Sequence, residues 1–545
     1  FNTGAIIPKY PSTGELAKVG LDSRGFRRII RNALGSHGHH LAETLPEKMR
    51  KQNRLFDLSS AIQNIHFPSS EEGLAAAQHR LKFDELFFLQ LMLAFRKRSL
   101  QDEVKGITYT VESARARRLV ESLPFELTKA QRRVLREIAD DMKYDNPMNR
   151  LFQGDVGSGK TIVALLSMLV AVDNGYQAAF MAPTEVLAEQ HFRTLSSFLK
   201  NVPVNVRLLI GGQKKRLRQD ILDDLRAGSA QIVVGTHAVI QENVEFAKLG
   251  LAVIDEQHRF GVMQRATLRA KGYNPEVLVM TATPIPRTLA MTLYGDLDVS
   301  VIDEMPADRK PIKTAVRLED QKAKVFDFVR QEVHRGRQAY IVFPLIEESE
   351  KVDLKAATAE YERLQAKVFP DLKLALLHGR MKSEEKDATM SDFKGRSFDI
   401  LVATTVIEVG IDVPNATIMI VENAERFGLS QLHQLRGRVG RGSDHALCLL
   451  VAPYQRGEDV YRRLKAMRDT RDVFKIAEVD LELRGPGEFL GTRQDGLPDF
   501  RVSNLIRDTR TLAEARDAAE RWLALDPALR APESAALRTI LEHRW

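Results

Sequence analysis

The hydrophobic positions of the first hundred residues follow a helical repeat. Between residues 21 and 100, apolar side chains recur about every three to four positions, and the segment RLKFDELFFLQLMLAFRKR at 80–98 carries a wide apolar face. This spacing is typical of amphipathic helices. The sequence therefore predicts a packed helical region, whose repeat is carried by Leu41, Leu45, Met49, Leu55 and Leu58.

From about residue 120 the pattern changes to short apolar runs that alternate with helical stretches. The runs RLFQ, AAFMAPT, QIVVGTH, LAVIDE and VLVMTAT each end in polar or glycine residues. A second series, AYIVFPL, KLALLHG, DILVATT, TIMIVENA and ALCLLVAP, extends to about residue 453. This alternation predicts an α/β fold with two parallel sheets, in which ligands collect beyond the carboxyl ends of the strands.

Changes of pattern suggest four segments. Residues 1–115 are predicted to be a helical region, 116–305 the first α/β lobe, 306–455 the second and 456–545 a helical, charged tail. Prolines and charge from Met305 to Lys310 indicate a linker between the lobes. Because the chain starts with Phe1 rather than methionine and has no signal-peptide pattern, we expect it to begin inside a larger protein.

Composition excludes several classes of protein. The 545 residues carry a net charge of +7, which does not by itself indicate a nucleic-acid partner. The single cysteine, Cys448, excludes disulfides and cysteine-rich metal sites, and its apolar surroundings predict a buried strand residue. The longest apolar stretch, at 161–172, is too short to span a bilayer.

The segment GDVGSGKT fits the phosphate-loop pattern, in which backbone N–H groups and the start of a helix hold nucleotide phosphates. Lys160 is predicted to reach the β and γ phosphates, and Thr161 to bind magnesium. A purely structural glycine turn is the alternative. The predicted ATP-binding residues of the loop are Gly154, Asp155, Val156, Gly157, Ser158, Gly159, Lys160 and Thr161.

The segment DEQH at 255–258 ends an apolar run. Asp255 is predicted to hold magnesium through water, and Glu256 to orient and deprotonate the attacking water. Gln257 and His258 would couple hydrolysis to the second lobe. Helix capping by the carboxylates, or a structural role for His258, is the alternative.

The segment QLRGRVGRG at 434–442 supplies three further catalytic candidates, Gln434, Arg438 and Arg441. The pattern suggests that they lie at a helix start, with glycines 437 and 440 permitting close approach. Arginine stabilises the charge that develops on a transferred phosphoryl group, so a guanidinium from the second lobe would make hydrolysis depend on lobe closure. Contact with nucleic-acid phosphates is the competing interpretation.

Taken together, these motifs resemble the superfamily 2 helicases and, within them, the RecG family. FELTKAQ at 125–131 resembles the adenine-recognising Q motif, with Phe125 and Gln131 in the contacting positions. The segments APTEVLAEQH, GTHAVI, TATPIPRT and ATTVIEVGIDVPNA match the other helicase motifs in order. The resemblance implies two tandem RecA-like lobes. It also implies that residues 1–115 comprise a remnant of a wedge domain and a helical linker, and that residues 456–545 form a helical hairpin and translocation-motif region.

The resemblance also assigns roles to residues outside the nucleotide motifs. Those expected along the DNA path are Pro183, Thr184, Glu185, Thr236, His237, Thr404 and Thr405. Those expected near the nucleotide cleft are Glu408, Gly410 and Asp412. Coupling of hydrolysis to movement is assigned to Thr281 and Thr283, and to Arg484 and Gln494 in the translocation motif LRGPGEFLGTRQDG, where Asp495 departs from the family pattern. Capping and turn roles remain alternatives for the threonines.

The implied activity is ATP-dependent translocation on double-stranded DNA that remodels branched DNA, by fork reversal and Holliday-junction branch migration, in recombination and repair. ATP and Mg²⁺ are the implied cofactors. Branched or duplex DNA is the implied partner, with single-stranded DNA-binding protein as a further candidate, and the expected protein is a monomer in the bacterial cytoplasm, associated with the nucleoid. The alternatives are a translocase like the transcription-repair coupling factor, an RNA-directed helicase, and a nucleic-acid clamp that binds ATP without productive turnover.

Overall fold

The computed structural model describes residues 6–101, 107–255, 271–272, 274–282, 297–306, 311–344, 350–404, 413–440, 445–453, 457–489, 500–505 and 507–544. Its contacts divide the chain into two compact units. One unit combines residues from the two ends of the chain, and the other comprises Gln101–Pro286 and Leu297–Leu483. No helix in the described ranges is both long enough and apolar enough to cross a bilayer.

The helices lie mainly at the two ends of the chain and between strands. In chain order they are α1 (Gly14–Lys18), α2 (Ser23–His37), α3 (Glu47–Gln52), α4 (Leu58–His66), α5 (Glu71–Gln101), α6 (Ala114–Ser122), α7 (Lys129–Lys143), α8 (Lys160–Asp173), α9 (Glu185–Phe198), α10 (Lys215–Ala227), α11 (Lys322–His334), α12 (Glu350–Arg363), α13 (Ser383–Lys394), α14 (Leu429–Arg436), α15 (Glu458–Asp469), α16 (Val473–Phe489), α17 (Thr509–Leu525) and α18 (Ala535–Arg544).

The strands form two separate sheets in which every described pairing is parallel. The first has the order β3-β4-β2-β5-β6-β1-β7, and the second the order β10-β11-β9-β12-β13-β8. The strands are β1 (Asn149–Gly154), β2 (Gln177–Met181), β3 (Val206–Leu209), β4 (Ile232–Gly235), β5 (Leu249–Asp255), β6 (Glu276–Thr281), β7 (Asp298–Ile302), β8 (Lys313–Leu318), β9 (Gln338–Val342), β10 (Leu374–Leu377), β11 (Ile400–Ala403), β12 (Ala416–Val421) and β13 (Leu447–Ala452).

Helix α8 is a buried helix that packs against the first sheet. Residues Ile162 to Leu169 of this helix are all buried, so it is covered by protein on every side. It packs against β1, β2 and β5, and α7 lies beside it. Residues 249–255 of β5 are likewise buried throughout. Such continuous burial is expected of a parallel strand that has helices on both faces.

The second sheet separates two apolar clusters. Tyr340 and Val342 of β9 belong to one cluster, and Ala339 and Ile341 to the other. Successive side chains of a strand point to opposite faces, so both faces of this sheet are covered. Cys448 of β13 is fully buried, as predicted, and burial raises the pKa of its thiol to about 12.

In the unit formed by the two chain ends, the long helix α5 organises the packing. Its Arg80 is fully buried and donates to the carbonyl of Phe56 and to the carboxylates of Glu43 and Asp84. Because each buried guanidinium donor needs an acceptor, these contacts fix the segment 43–56 against the helix.

The predicted α/β class with two parallel sheets is confirmed, and all ten predicted apolar runs contain strands. The helical region after residue 21 is also confirmed, but it is divided into several helices. Leu41, Leu45 and Leu55 lie between these helices and not within them. The tail is helical as predicted, and its helix α16 continues to Phe489.

Candidate functional site

The predicted functional residues that the structure describes lie mainly at the carboxyl ends of strands. The segment 154–161 follows β1, residues 183–185 follow β2, and Thr236 follows β4. Asp255 ends β5 and Thr281 ends β6, while Thr404 follows β11 of the second sheet. Because the strands of each sheet are parallel, these ends share one edge of their sheet, where ligands of α/β folds bind.

The phosphate loop turns between β1 and α8 through glycines in the left-handed region. Gly157 has φ +80° and Gly159 has φ +87°, conformations that L side chains rarely adopt. Lys160 Nζ lies 2.8 Å from the carbonyl oxygen of Gly154 and 2.9 Å from that of Asp155. The ammonium group is therefore held at the mouth of the loop, beside the first turn of α8.

Gln131 supports the loop from helix α7. Its side chain is 2% exposed, its Oε1 accepts from the backbone N–H of Thr128, and its Nε2 donates to the carbonyl of Ser158 at 2.8 Å. The hydroxyl of Thr128 accepts from the Gln131 N–H in return, which completes a capping box. Gln131 thus connects the start of α7 to the phosphate loop.

Phe125 lines a cavity of about 590 Å³ next to this helix. Phe125 is 37% exposed, so it is accessible to an aromatic ligand group. Two acidic residues also contact α7: Asp303 accepts from the side chain of Arg133, and Glu304 accepts from the N–H of Ala130. The cavity is lined by Val120, Leu123, Pro124, Phe125, Glu126, Leu127, Arg132 and Pro306.

Asp255 is nearly buried at the end of β5 and has a histidine partner. Nε2 of His191, on helix α9, lies 2.8 Å from Oδ2 of Asp255. The His191 ring packs on Phe180 at 4.5 Å between centroids, which fixes its orientation. This contact leaves the other carboxylate oxygen, Oδ1, for a further ligand.

The second sheet contributes a direct contact to the phosphate loop. Nε2 of His433, on α14, lies 2.6 Å from Oδ1 of Asp155, and both ring nitrogens of this buried histidine have partners. Burial opposes ionisation of Asp155, but the hydrogen bond from His433 and the charge of Lys160 outweigh it and hold the pKa of this carboxyl below its usual range. A β-carbon added at Gly437 would lie 3.1 Å from Cβ of Val156.

The expected helix start around residues 434–441 is wrong. Helix α14 ends at Arg436, so Gln434 lies in its last turn and Arg438 follows it. Gly437 closes the helix, and Gly440 adopts φ +75°, which a continuing helix does not permit. The close approach predicted for these glycines is observed, because Gly437 faces the phosphate loop and Gly440 packs near Ile312 and Ala446.

The residues expected along the DNA path differ in exposure. Thr184 caps α9 through its hydroxyl, and Glu185 begins that helix with Pro183 just before it. His237 is exposed. Thr236 and Thr404 are 9% and 3% exposed, so contact between their hydroxyls and a polynucleotide would require local rearrangement. Thr281, assigned to coupling, is 1% exposed.

Several predicted residues lie outside the described part of the chain. They are Glu256, Gln257, His258, Thr283, Thr405, Glu408, Gly410, Asp412, Arg441 and Gln494. The backbone of Arg484 is part of α16, but the side chain of Arg484 also lies outside the described part of the structure.

His191 and His433 contact predicted site residues, and Arg436 contacts His433, yet the sequence did not identify these three residues as functional. His191 ends the motif APTEVLAEQH, so its place within a recognised motif was an available signal. His433 and Arg436 flank Gln434 on a short helix, and the contact between His433 and Asp155 becomes evident only when the two sheets are seen together.

Comparison with known protein families identifies three regions. Residues 128–292 match the DEAD/DEAH box helicase model, and residues 321–443 match the helicase conserved C-terminal domain. Residues 470–543 match the model described as ATP-dependent DNA helicase RecG, domain 3, C-terminal.

Two curated relatives and one solved structure extend this similarity to nearly the whole chain. ATP-dependent DNA helicase RecG of Synechocystis is 51% identical over 97% of this chain, and that of Bacillus subtilis is 48% identical over 94%. The chain spans 63% of the Synechocystis protein and 75% of the Bacillus protein. A structure of RecG bound to a three-way DNA junction is 45% identical, with a TM-score of 0.72, over 92% of this chain and 67% of that chain.

Proposed function

Because this chain belongs to the RecG family of ATP-dependent DNA helicases, we propose that it hydrolyses ATP to move along double-stranded DNA and thereby remodels branched DNA. The main support for this proposal is the contact between the two lobes at the phosphate loop, where His433 of the second lobe bonds to Asp155 of the first. A nucleotide held by this loop would therefore influence how the lobes meet. Movement driven by hydrolysis requires such a connection.

ATP binding is assigned to the loop and to the cavity beside it. The loop N–H groups and Lys160 would hold the phosphates, while Phe125 would stack on the adenine. Gln131 fixes the relative position of these two parts, because its amide group bonds to both the start of α7 and the loop. The first lobe would thus bind both ends of the nucleotide.

The donor set fits magnesium. Mg²⁺ binds through one or two protein oxygens, substrate phosphates and water. Asp255 at the end of β5 and Thr161 in the first turn of α8 offer such oxygens. The described residues hold no cluster of three or more His, Cys, Asp or Glu side chains that would favour another metal. When bound, the ion would neutralise charge on the terminal phosphates. His191 would orient the Asp255 carboxylate toward it.

The chemical step is assigned to residues of both lobes. Glu256, directly after Asp255, would orient and deprotonate the attacking water, and Arg441 would stabilise charge on the γ-phosphoryl group, with Arg438 and Gln434 beside it. Gln257, His258, Thr281 and Thr283 would pass the result of hydrolysis to the second lobe. Glu408, Gly410 and Asp412 complete the proposed nucleotide cleft.

The DNA substrate is assigned to the carboxyl edges of the two sheets. The sugar-phosphate backbone of the DNA would be contacted by residues 183–185, 236–237 and 404–405. Coupling of hydrolysis to movement of the duplex would depend on Arg484 and Gln494. The RecG structure holds a three-way junction, which supports a branched substrate. The proposed reactions are fork reversal and Holliday-junction branch migration in bacterial repair and recombination. We propose that a monomer carries them out on nucleoid DNA in the cytoplasm. Single-stranded DNA-binding protein is a candidate partner.

The proposed segments are those expected from the sequence, with residues 1–115 forming a remnant of a wedge domain and a helical linker, 116–305 and 306–455 forming the lobes, and 456–545 carrying the translocation motif. This organisation would place ATP chemistry in the centre of the chain and duplex contacts beside it.

The test is steady-state ATP hydrolysis with a three-way DNA junction, linear duplex DNA or RNA of equal nucleotide content. The proposal expects the largest stimulation by the junction and little by RNA. Lys160→Ala should abolish hydrolysis in every case. Equal rates with and without DNA would contradict a DNA-driven motor, and stimulation by RNA alone would favour an RNA-directed helicase.

A further inference from the structure

A series of buried and partly buried hydrogen bonds runs from the phosphate loop through the second lobe. It begins at Asp155, passes through His433 and Arg436, and ends on the carbonyl groups of Met467 and Thr470. His433 and Arg436 are 3% and 4% exposed, so water competes little for these bonds. Bonds to charged groups in such surroundings are stronger than those at the surface.

The first part of this series acts on the shape of the loop itself. Oδ1 of Asp155 accepts from His433 and also from the backbone N–H of Val156, at 2.6 Å in each case. The backbone carbonyl of Asp155 receives Lys160 Nζ. A change in the position of His433 would therefore alter the carboxylate that fixes the turn next to the phosphate-binding lysine.

Arg436 determines which ring nitrogen of His433 donates. A guanidinium has only donors, and Nη2 of Arg436 lies 2.8 Å from Nδ1 of His433, so Nδ1 accepts. The ring proton then lies on Nε2 and points to Asp155. Arg436 thus keeps His433 in the tautomer that donates to the loop.

The far part of the series reaches the junction of two helices. Nη1 of Arg436 donates to the carbonyls of Met467 and Thr470 at 3.1 Å, at the C-terminal end of α15, where a cation is favoured by the free carbonyl groups. Two residues later, Asp472 accepts from the N–H groups of Phe474 and Lys475 at the start of α16. Helix α16 leads into the segment assigned to the translocation motif.

We propose that His433 is a positioning residue for the phosphate loop, and that Arg436 connects it to the turn between α15 and α16. Nucleotide held by the loop thereby changes the order of that turn. This inference rests on the proposed function for its purpose, since a motor must pass the state of its nucleotide to the element that moves DNA. In this proposal His433 acts through its contact with Asp155 and not through contact with the nucleotide.

Two substitutions of His433 distinguish its contact with Asp155 from its contact with Arg436. His433→Asn retains an acceptor near Arg436, but its shorter side chain does not reach Asp155. His433→Gln extends far enough to place an amide donor at Asp155. The matched control is His445→Asn, which changes an exposed histidine of the same lobe.

The readout is amide hydrogen exchange of the full chain with and without a non-hydrolysable ATP analogue. In the unmodified chain and in His433→Gln, the analogue should slow exchange across residues 467–476 about tenfold, the size expected when a charge-assisted hydrogen bond is stabilised. His433→Asn should lose this response while keeping the exchange rates of α11 unchanged. His445→Asn should behave as the unmodified chain.

Other outcomes overturn the inference. It is wrong if the analogue leaves residues 467–476 unaffected in the unmodified chain, if His433→Asn keeps the full response, or if His433→Gln fails to restore it. Faster exchange throughout the second lobe in His433→Asn would show a general structural role instead.

DNA-stimulated ATP hydrolysis, measured on the same preparations, judges the proposed function separately. Its absence from the unmodified chain would refute the motor but not the relay, because the exchange response requires only nucleotide binding.

Discussion

Replacing Gln131 with alanine should weaken nucleotide binding by disordering the phosphate loop. The buried amide group of Gln131 donates to the carbonyl of Ser158 and accepts from the N–H of Thr128, at 2.8 Å in each case. It also lies against Gly159, where an added β-carbon would come within 2.3 Å of its Nε2. Gln131→Ala would remove both bonds and leave space beside the loop.

The magnitude follows from the carbonyl of Ser158, which would lose its donor in a buried setting. Leaving one buried polar group unsatisfied costs about 1–3 kcal/mol. If the loop relieves this cost by losing its ordered form, the nucleotide must restore that form on binding, and its affinity should fall about tenfold, within a range of about 5- to 150-fold. Equilibrium titration with a fluorescent ADP analogue measures this change directly.

Two further variants test the cause. Gln131→Glu retains an oxygen that accepts from Thr128 but turns another toward the Ser158 carbonyl, so it should bind nucleotide no better than Gln131→Ala. Gln213→Ala is the matched control, because Gln213 also accepts from one backbone N–H and donates to one carbonyl, at Ile210 and Leu208. An affinity of Gln131→Ala within about twofold of the unmodified chain, or an equal loss in Gln213→Ala, would refute the reasoning.

Three further predictions concern the same site. Gly437→Ala would crowd Val156 at 3.1 Å, so hydrolysis should fall about tenfold while the fluorescent-ADP affinity is unchanged, and an equal loss of affinity would contradict a lobe-closure effect. Glu256→Gln should bind nucleotide but release no phosphate, and near-normal release would remove Glu256 from its role. The pKa of the Asp155 carboxyl is held below its usual range in the folded chain, so the ionised carboxylate stabilises the fold. This stabilisation should be complete at pH values above the pKa of the unfolded chain, about 3.9, and should be lost as the pH falls through the pKa of the folded chain. The difference in thermal stability between the unmodified chain and Asp155→Asn should therefore be constant from about pH 8 to 5 and narrow below about pH 4, and narrowing already near pH 6 would contradict the assignment.

The interior strands could be predicted from the sequence because parallel strands covered on both faces read as continuous apolar runs. The strands that the sequence did not predict are β3, β7 and β8, and each forms an edge of its sheet. Their residues are partly exposed, as in KTAVRL of β8, so apolar and polar positions mix without a clear period. An edge strand is identified by its neighbour in the sheet, which local pattern does not supply.

The site divides in the same way. The phosphate loop could be predicted because its function depends on consecutive residues, from Gly154 to Thr161. The contact between His433 and Asp155 joins residues 278 positions apart, and a lone histidine on a short helix gives no sign of its partner. The sequence also led to the wrong expectation of a helix start around residues 434–441, where helix α14 in fact ends. Glycines permit both close approach and helix termination, so the pattern did not distinguish the two.

The most direct measurement of the central claim is ATP-dependent displacement of a labelled third strand from duplex DNA attached to a three-way junction. Displacement requires movement along the duplex, so it reports translocation separately from hydrolysis. The account predicts displacement by the unmodified chain with ATP, and none with a non-hydrolysable analogue or with Lys160→Ala. Rapid junction-stimulated hydrolysis with no displacement of the third strand would contradict it.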